Sequence, residues 1–368
     1  MPPRIARLAS LVFCCAVPVA VVIMVFVVTI VDGTVAMDFR QFYGAADAIL
    51  RGVSPYPQPG EPLLPWGGPY PYPPLPALAA TPLTVLSSDT AGLLVMSVLV
   101  VVALATPYVL GVRDWRCYGV LLLWPAVISA IQTSNLTLPL ALAAALAWRF
   151  RDKTFVASTI VGVTLAAKFL LWPLLVWSAA TGRRLAAGAA LVVAALLLVA
   201  SWAVIGFAGL VDYPGLLRRV EAAVAEDSYT VYVAALDLGL SASIARALWL
   251  VLGSALLAAV VVCARRGDET SAFVYAIAAA VALSPIVWLH YFALLAVVVA
   301  LAQPRLGLAW FVPLLMVVTP GHGQPTPFET GWTLAVAVAT VVVVLRAVRS
   351  RRAEPSAAAQ APLTVPAA

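Results

Sequence analysis

Charge is what this sequence has least of. Asp, Glu, Lys and Arg make up 10% of its 368 residues, against roughly 25% in a soluble globular domain. That shortage excludes an ordinary water-soluble fold. Cysteine is also scarce, and Cys14, Cys15, Cys117 and Cys263 fall within or beside apolar segments with no metal-ligand spacing. They suit neither a zinc site nor a disulfide framework, and read as small apolar residues. Histidine occurs twice, at His290 and His322, and no paired acidic cluster demands a metal. Strict polar–apolar alternation over ten-residue stretches is missing as well, which argues against a membrane β-barrel.

What remains is 63% hydrophobic, with a mean hydropathy of +1.02. Apolar stretches of helix-spanning length recur from end to end, so the chain reads as one all-α polytopic integral membrane domain. The net charge of +6 comes from arginines in short clusters between apolar runs, where the positive-inside rule expects them, and does not point to nucleic acid. The N-terminus resembles a secretory signal ending in "TVA" at Ala36. Its apolar run from Leu8 to Val31 is too long for a signal h-region, and Phe13 spoils a lipobox, so a retained first helix is expected.

Arg4 and Arg7 set the N-terminus in the cytoplasm. Placing every later basic cluster on the same side yields hairpins 117–131/134–149, 154–167/169–182, 270–284/290–303 and 305–319/330–347. Segments 184–206 and 246–264 flank a longer external stretch, 207–245. About twelve transmembrane helices result, with both termini cytoplasmic. Residues 32–90 form a first external loop, and the proline-rich 71–87 reads as a helix at the interface rather than a crossing. The membrane domain covers 1–352, and the Ala/Pro-rich tail 353–368 reads as disordered. No repeat suggests the two halves of an inverted-repeat transporter.

On this topology the scarce polar residues collect on the external face. Asp38, Arg40, Tyr43 and Asp47 sit in the first loop, and Trp66, Tyr70 and Tyr72 approach the interface helix. Gln132 and Asn135 mark one hairpin tip and Lys168 the next. Arg218, Arg219, Glu221 and Glu226 follow in the long loop, His290 opens a membrane segment and His322 lies in the last external loop. Each has a plainer reading. Asp38 suits a helix N-cap, Asp47 and Arg51 an i,i+4 ion pair, the Tyr and Trp residues an interfacial belt, Lys168 a snorkelling side chain, and Arg218 and Arg219 interfacial anchors.

Five stretches, in order, resemble glycosyltransferase family 87. They are "DFRQFYGAADAILRGVSPY" from Asp38, "YPYPPLPALAATPL" from Tyr70, "QTSNLTLPLALAAALAW" from Gln132, "KFLLWPLLVW" from Lys168 and "LSPIVWLHYFALL" from Leu283. Two departures stand out: Ile131 replaces the glycine often seen before the Gln, and Phe169 replaces a proline. The resemblance implies a GT-C type fold in the cell membrane. Its activity would move a sugar, most plausibly mannose, from a polyprenyl-phosphate donor to an extracytoplasmic glycolipid of the phosphatidylinositol mannoside or lipomannan type. An arabinofuranose donor, or a polytopic lipid or solute transporter, is the alternative.

The residues fit such chemistry. A carboxylate just outside the bilayer suits the base that an attacking hydroxyl requires, which points to Asp38. The resemblance places His290 near the reaction, as base, as partner of Asp38 or as a holder of substrate. Lys168, with Arg218 and Arg219 behind it, is expected to take the leaving phosphate. Arg40, Tyr43, Trp66, Tyr72, Gln132 and Asn135 are expected around sugar and acceptor. Direct displacement would invert the anomeric centre to give an α-mannosidic link, without a metal or other cofactor.

Overall fold

A computed structural model describes residues 3–57, 70–318 and 324–358, so the expectations for Trp66 and His322 fall outside the described residues. Every regular element among the described residues is helical. Five helices are long and apolar enough to cross a membrane: Arg7–Val31, Ser88–Val109, Arg184–Val204, Ala242–Arg265 and Pro327–Arg351. A sixth span results if the pair Pro125–Thr133 and Thr137–Arg149, bent by 116°, is taken as one. The protein is therefore a polytopic helical membrane protein.

The expected twelve crossings include helices much shorter than these. Thr154–Ala167 and Glu269–Ala282 have 14 residues each, which at about 1.5 Å per residue covers roughly 21 Å of a hydrocarbon core about 30 Å thick. Charge clusters reveal where the chain turns back, not how far it travelled. Pro74–Ala80, continued as a 3₁₀ turn over Thr81–Val85, is shorter still, which agrees with reading 71–87 as something other than a full crossing.

Length and burial run opposite ways. At most 33% of any long helix is buried, and each turns large apolar side chains outward, such as Ile23, Val101, Leu196 and Val251. Outward apolar surface of this extent suits lipid. The short helices form the interior: Glu269–Ala282 buries Phe273, Val274 and Ile277, and Leu295–Ala302 buries Val297, Val298 and Val299. Trp124 and Trp310 are fully enclosed, the Trp124 indole N–H donating to the Trp310 carbonyl at 2.9 Å.

Helix ends follow local chemistry. The Ser87 hydroxyl accepts from Thr90 N–H, and the Asp268 carboxylate accepts from Ser271 N–H, each capping a helix start. Thr326 and Glu329 close a reciprocal capping box on the last helix, the Thr326 N–H donating to Glu329 at 2.7 Å and the Glu329 N–H to Thr326 at 3.3 Å. That helix runs on through Ala358, past residue 353, where the sequence reading starts a disordered tail.

At one end of the bundle, ion pairs tie three loops together. Arg183 bonds Asp152 at 2.7 Å and also Glu269, while Arg151 reaches Glu269 at 3.3 Å. The Arg151 guanidinium lies 4.5 Å from the Trp148 ring centroid. Two of the basic clusters expected on a common side thus converge physically, on an acid just after a third.

Candidate active site

Asp38 owes its position to an unusual turn. Ala36, 1% exposed, holds φ +49°, a conformation that costs a residue with a Cβ. The helix Met37–Leu50 starts immediately after it, so Asp38 lies in the first helical turn and is not the N-cap. Gly92 makes the turn possible from the other side: a Cβ there would sit 2.9 Å from Ala36 Cβ.

A second left-handed residue faces this turn. Ser134, at φ +56°, sits between Pro125–Thr133 and Thr137–Arg149, so "QTSN" lies at the bend between these two helices. Asn135 is buried within it, its amide N–H donating to Thr133 Oγ1 at 2.7 Å and its carbonyl accepting from Thr137 N–H at 2.7 Å. The Thr133 and Asn135 side chains also lie beside the Asp38 carboxyl and favour its ionised form. Burial pushes the Asp38 pKa above the ordinary carboxylate range, while those side chains and the Lys168 charge pull part of the way back.

Lys168, one of two lysines in the chain, stands in extended backbone where Thr154–Ala167 ends. Its ammonium lies 4.2 Å from the Tyr291 ring centroid and 5.3 Å from that of Tyr72, a cation held between aromatic faces. Burial works against its charged form, but the tyrosine oxygens and Asp38 outweigh that and hold it protonated. Burial likewise pushes the Tyr72 phenol up to about 12, so it stays a hydrogen-bond donor at neutral pH.

Tyr72 is fixed by an aromatic knot instead of floating in an interfacial belt. Tyr56 stacks on Trp202 with centroids 5.0 Å apart and donates its hydroxyl to the Tyr72 carbonyl at 2.9 Å. Tyr213 donates to the Pro71 carbonyl at 2.9 Å, and Phe42 packs 4.8 Å from the Tyr72 ring. Tyr56 and Tyr70 are 5% and 3% exposed, far too enclosed for a membrane-surface belt.

His290 opens the 3₁₀ turn Leu289–Leu294, which packs against Pro125–Thr133; that helix in turn packs against Met37–Leu50. The preceding segment is stapled at Val287, whose N–H donates to Ser228 Oγ at 2.8 Å and whose carbonyl accepts from Tyr229 N–H at 2.7 Å. His290 is 6% exposed, with its ring 5.1 Å from that of Tyr291.

These side chains share one cavity of about 1580 Å³, larger than the roughly 300–1,000 Å³ of an ordinary small-molecule site. Asp38, Tyr72, Gln132, Lys168 and His290 all line it, 252 positions separating the first from the last. Its apolar wall comes from Leu165, Phe169, Leu198, Val199, Trp202 and Phe207. Part of that wall belongs to the long helix Arg184–Val204. The cavity therefore offers charge and hydrogen-bonding groups alongside a greasy surface continuous with a membrane-spanning helix.

Other sequence expectations land elsewhere. Arg40 pairs with Asp89 at 3.0 Å and donates to the Gly33 carbonyl at 3.0 Å, and Tyr43 donates to the Leu86 carbonyl at 2.8 Å. Both fasten the first-loop helix to its surroundings, and neither is among the cavity-lining residues. Asn135 braces from behind. Arg218 and Arg219 lie on the flanks of Tyr213–Val224, whose Leu217, Val220, Glu221 and Val224 face the cavity. Asp47 and Arg51 form the expected i,i+4 pair at 2.8 Å. Thr133, Tyr291 and Asp227 were not singled out by the sequence, and Glu221 stood out only as one of the external polar residues. Thr133 and Tyr291 adjoin chosen residues, and that adjacency was the available signal.

The fold and the cavity together define a polytopic helical membrane protein with a charged, partly apolar cavity. The model of glycosyltransferase family 87 matches residues 70–285, more than half of the chain, and the chain belongs to that family. Comparisons with curated proteins and with solved structures give no significant match. Tyr72, Gln132 and Lys168 lie inside the family match, whereas Asp38, 32 positions before residue 70, and His290, five after residue 285, lie outside it. The roles of those two rest on the cavity they share.

Proposed function

We propose that the protein transfers a sugar, most simply mannose, from a polyprenyl-phosphate donor to a glycolipid acceptor outside the cytoplasm, with inversion at the anomeric carbon. The observation that carries this reading is the single cavity joining Asp38, Lys168 and His290 to an apolar wall on a membrane-spanning helix. A lipid-linked phosphosugar needs both surfaces at once. The isoprenoid chain lies along Leu198, Val199 and Phe169, and the phosphate meets the Lys168 ammonium and the Tyr72 hydroxyl.

In the transfer, the acceptor oxygen bonds to the anomeric carbon as the bond from that carbon to the phosphate oxygen breaks. Asp38 takes the hydroxyl proton. Its raised pKa makes it a better base than an ordinary carboxylate, and the neighbouring Thr133 and Asn135 side chains favour its ionised form. Charge builds on the departing phosphate, where Lys168, held in place by two tyrosine faces, stabilises it without reorganising. His290 orients substrate at the other edge of the centre. Gln132 supplies amide hydrogen bonds to sugar hydroxyls. No step in this scheme uses a metal, which EDTA treatment tests.

The deciding assay uses purified full-length protein, polyprenyl-phosphate mannose and phosphatidylinositol mannosides, with a polyprenyl-phosphate arabinofuranose arm in parallel. Transfer giving an α-mannoside is expected. Transfer from the arabinofuranose donor alone would reassign the sugar, and consumption of no donor at all would remove the glycosyl-transfer reading.

A further inference from the structure

A carboxyl outside the proposed machinery enters the same cavity. Asp227 ends the 3₁₀ turn Ala225–Asp227 and lines the cavity, and its Oδ1 is shielded from solvent with no hydrogen-bond partner among the described residues. A shielded carboxylate oxygen left unpaired is costly, so such oxygens normally have a donor. Its backbone is not loose. Ser228 and Tyr229, the next two residues, form the staple to Val287, three residues before His290. The staple therefore fixes Asp227 and His290 relative to one another. Glu221, from the helix Tyr213–Val224, adds a second carboxyl to the lining.

Two carboxylates make this wall unsuitable for the donor phosphate, which like charge would repel. They suit a ligand rich in hydroxyl donors and without charge on its ring. Lys168 and Tyr72 sit on different elements, between Thr154–Ala167 and Phe169–Leu171 and ahead of Pro74–Ala80. The cavity lining thus adds these two carboxyls to a cation and a phenol, with Asp38 and His290 also in the lining.

We propose that Asp227 is an acceptor-specificity residue, its carboxylate receiving hydrogen bonds from hydroxyls of the incoming acceptor sugar. This rests on the glycosyl-transfer reading above. Glu221 extends the same hydroxyl-binding wall. Asp227 is not the base. It holds the acceptor ring while Asp38 removes the proton.

The test measures initial rates with full-length wild type, Asp227→Ala and the near-isosteric Asp227→Asn. Polyprenyl-phosphate mannose is the donor; a phosphatidylinositol mannoside and its deoxy analogues are acceptors. Asp227→Ala should raise acceptor KM roughly 10- to 100-fold while donor KM stays within about threefold, because one charge-assisted hydrogen bond to acceptor is lost. Asp227→Asn, which keeps an accepting oxygen but loses the charge, should fall between. With the deoxy acceptor that lacks the contacted hydroxyl, wild type and variant should converge, which a merely structural defect would not produce. Unchanged acceptor KM in both variants, or equal rises in donor and acceptor KM, would overturn the assignment while leaving glycosyl transfer intact. Absence of transfer by wild type would overturn both.

Discussion

Two places in this protein concentrate charge, and they use it in opposite ways. In the loop cluster, Arg151, Asp152, Arg183 and Glu269 pair with opposite charge, at distances of 2.7 Å for Arg183–Asp152 and 3.3 Å for Arg151–Glu269. In the cavity, the charges of Asp38 and Lys168 have neutral neighbours: Thr133 and Asn135 around one, and two tyrosine faces around the other. Among the described residues, no ion pair within salt-bridge distance includes either of them. Charges that neutralise each other hold loops together. Charges kept apart on a cavity wall are available to a substrate, and the protein carries their desolvation as a standing cost.

The contrast breaks most sharply at Asp38. Asp38→Asn keeps shape and hydrogen-bonding capacity but cannot take a proton, and turnover should fall roughly 10²–10⁴-fold. Steady-state kinetics at saturating donor and acceptor measure it. Lys168→Met should come next, lowering kcat/KM for the donor roughly 10- to 150-fold through loss of a charged contact to phosphate.

A pH profile sharpens the same end of the comparison. Asp38 must be ionised to act as base, and burial raises its folded pKa, so activity should rise with pH through a limb above the ordinary carboxylate range. Thr133→Val removes a hydroxyl that favours the ionised form, so the limb should move to still higher pH. A limb that stays put would separate Asp38 from the rate.

At the paired end the expected losses are of stability. Arg183→Met leaves Asp152 and Glu269 with Arg151 alone, and should cost about 1 kcal/mol, less than a fully buried pair because these groups retain some exposure. Thermal unfolding in detergent reads this, with turnover per folded molecule unchanged. Asp47→Asn breaks an exposed i,i+4 pair and should change stability by no more than about 0.5 kcal/mol. It serves as the control.

Much of this was legible in the sequence, for physical reasons. Membrane class followed from the lack of charge, and Thr154–Ala167 appears at its expected bounds because Lys153 and Lys168 interrupt an apolar run. Asp38, Lys168 and His290 stood out because ionisable groups are rare in such a chain. Span length was not legible in the same way, since clusters of arginine mark turns whether or not the intervening helix is long enough to cross.

Nor did residue type reveal direction. Arg40 and Tyr43 lie on the same helix as Asp38, yet they point to Asp89 and the Leu86 carbonyl. Asn135 sits behind the wall it was expected to line. The aromatic knot around Tyr56 escaped detection because its rings come from four separated segments: the first-loop helix, residues 56–72, the end of Arg184–Val204 and the start of Tyr213–Val224.

The most direct test sets one residue from each end side by side. Asp38→Asn and Arg183→Met are assayed for mannosyl transfer and thermal midpoint in a single experiment with wild type. The account predicts that Asp38→Asn keeps the midpoint and loses turnover, while Arg183→Met lowers the midpoint and keeps turnover. Wild-type turnover in Asp38→Asn would contradict it.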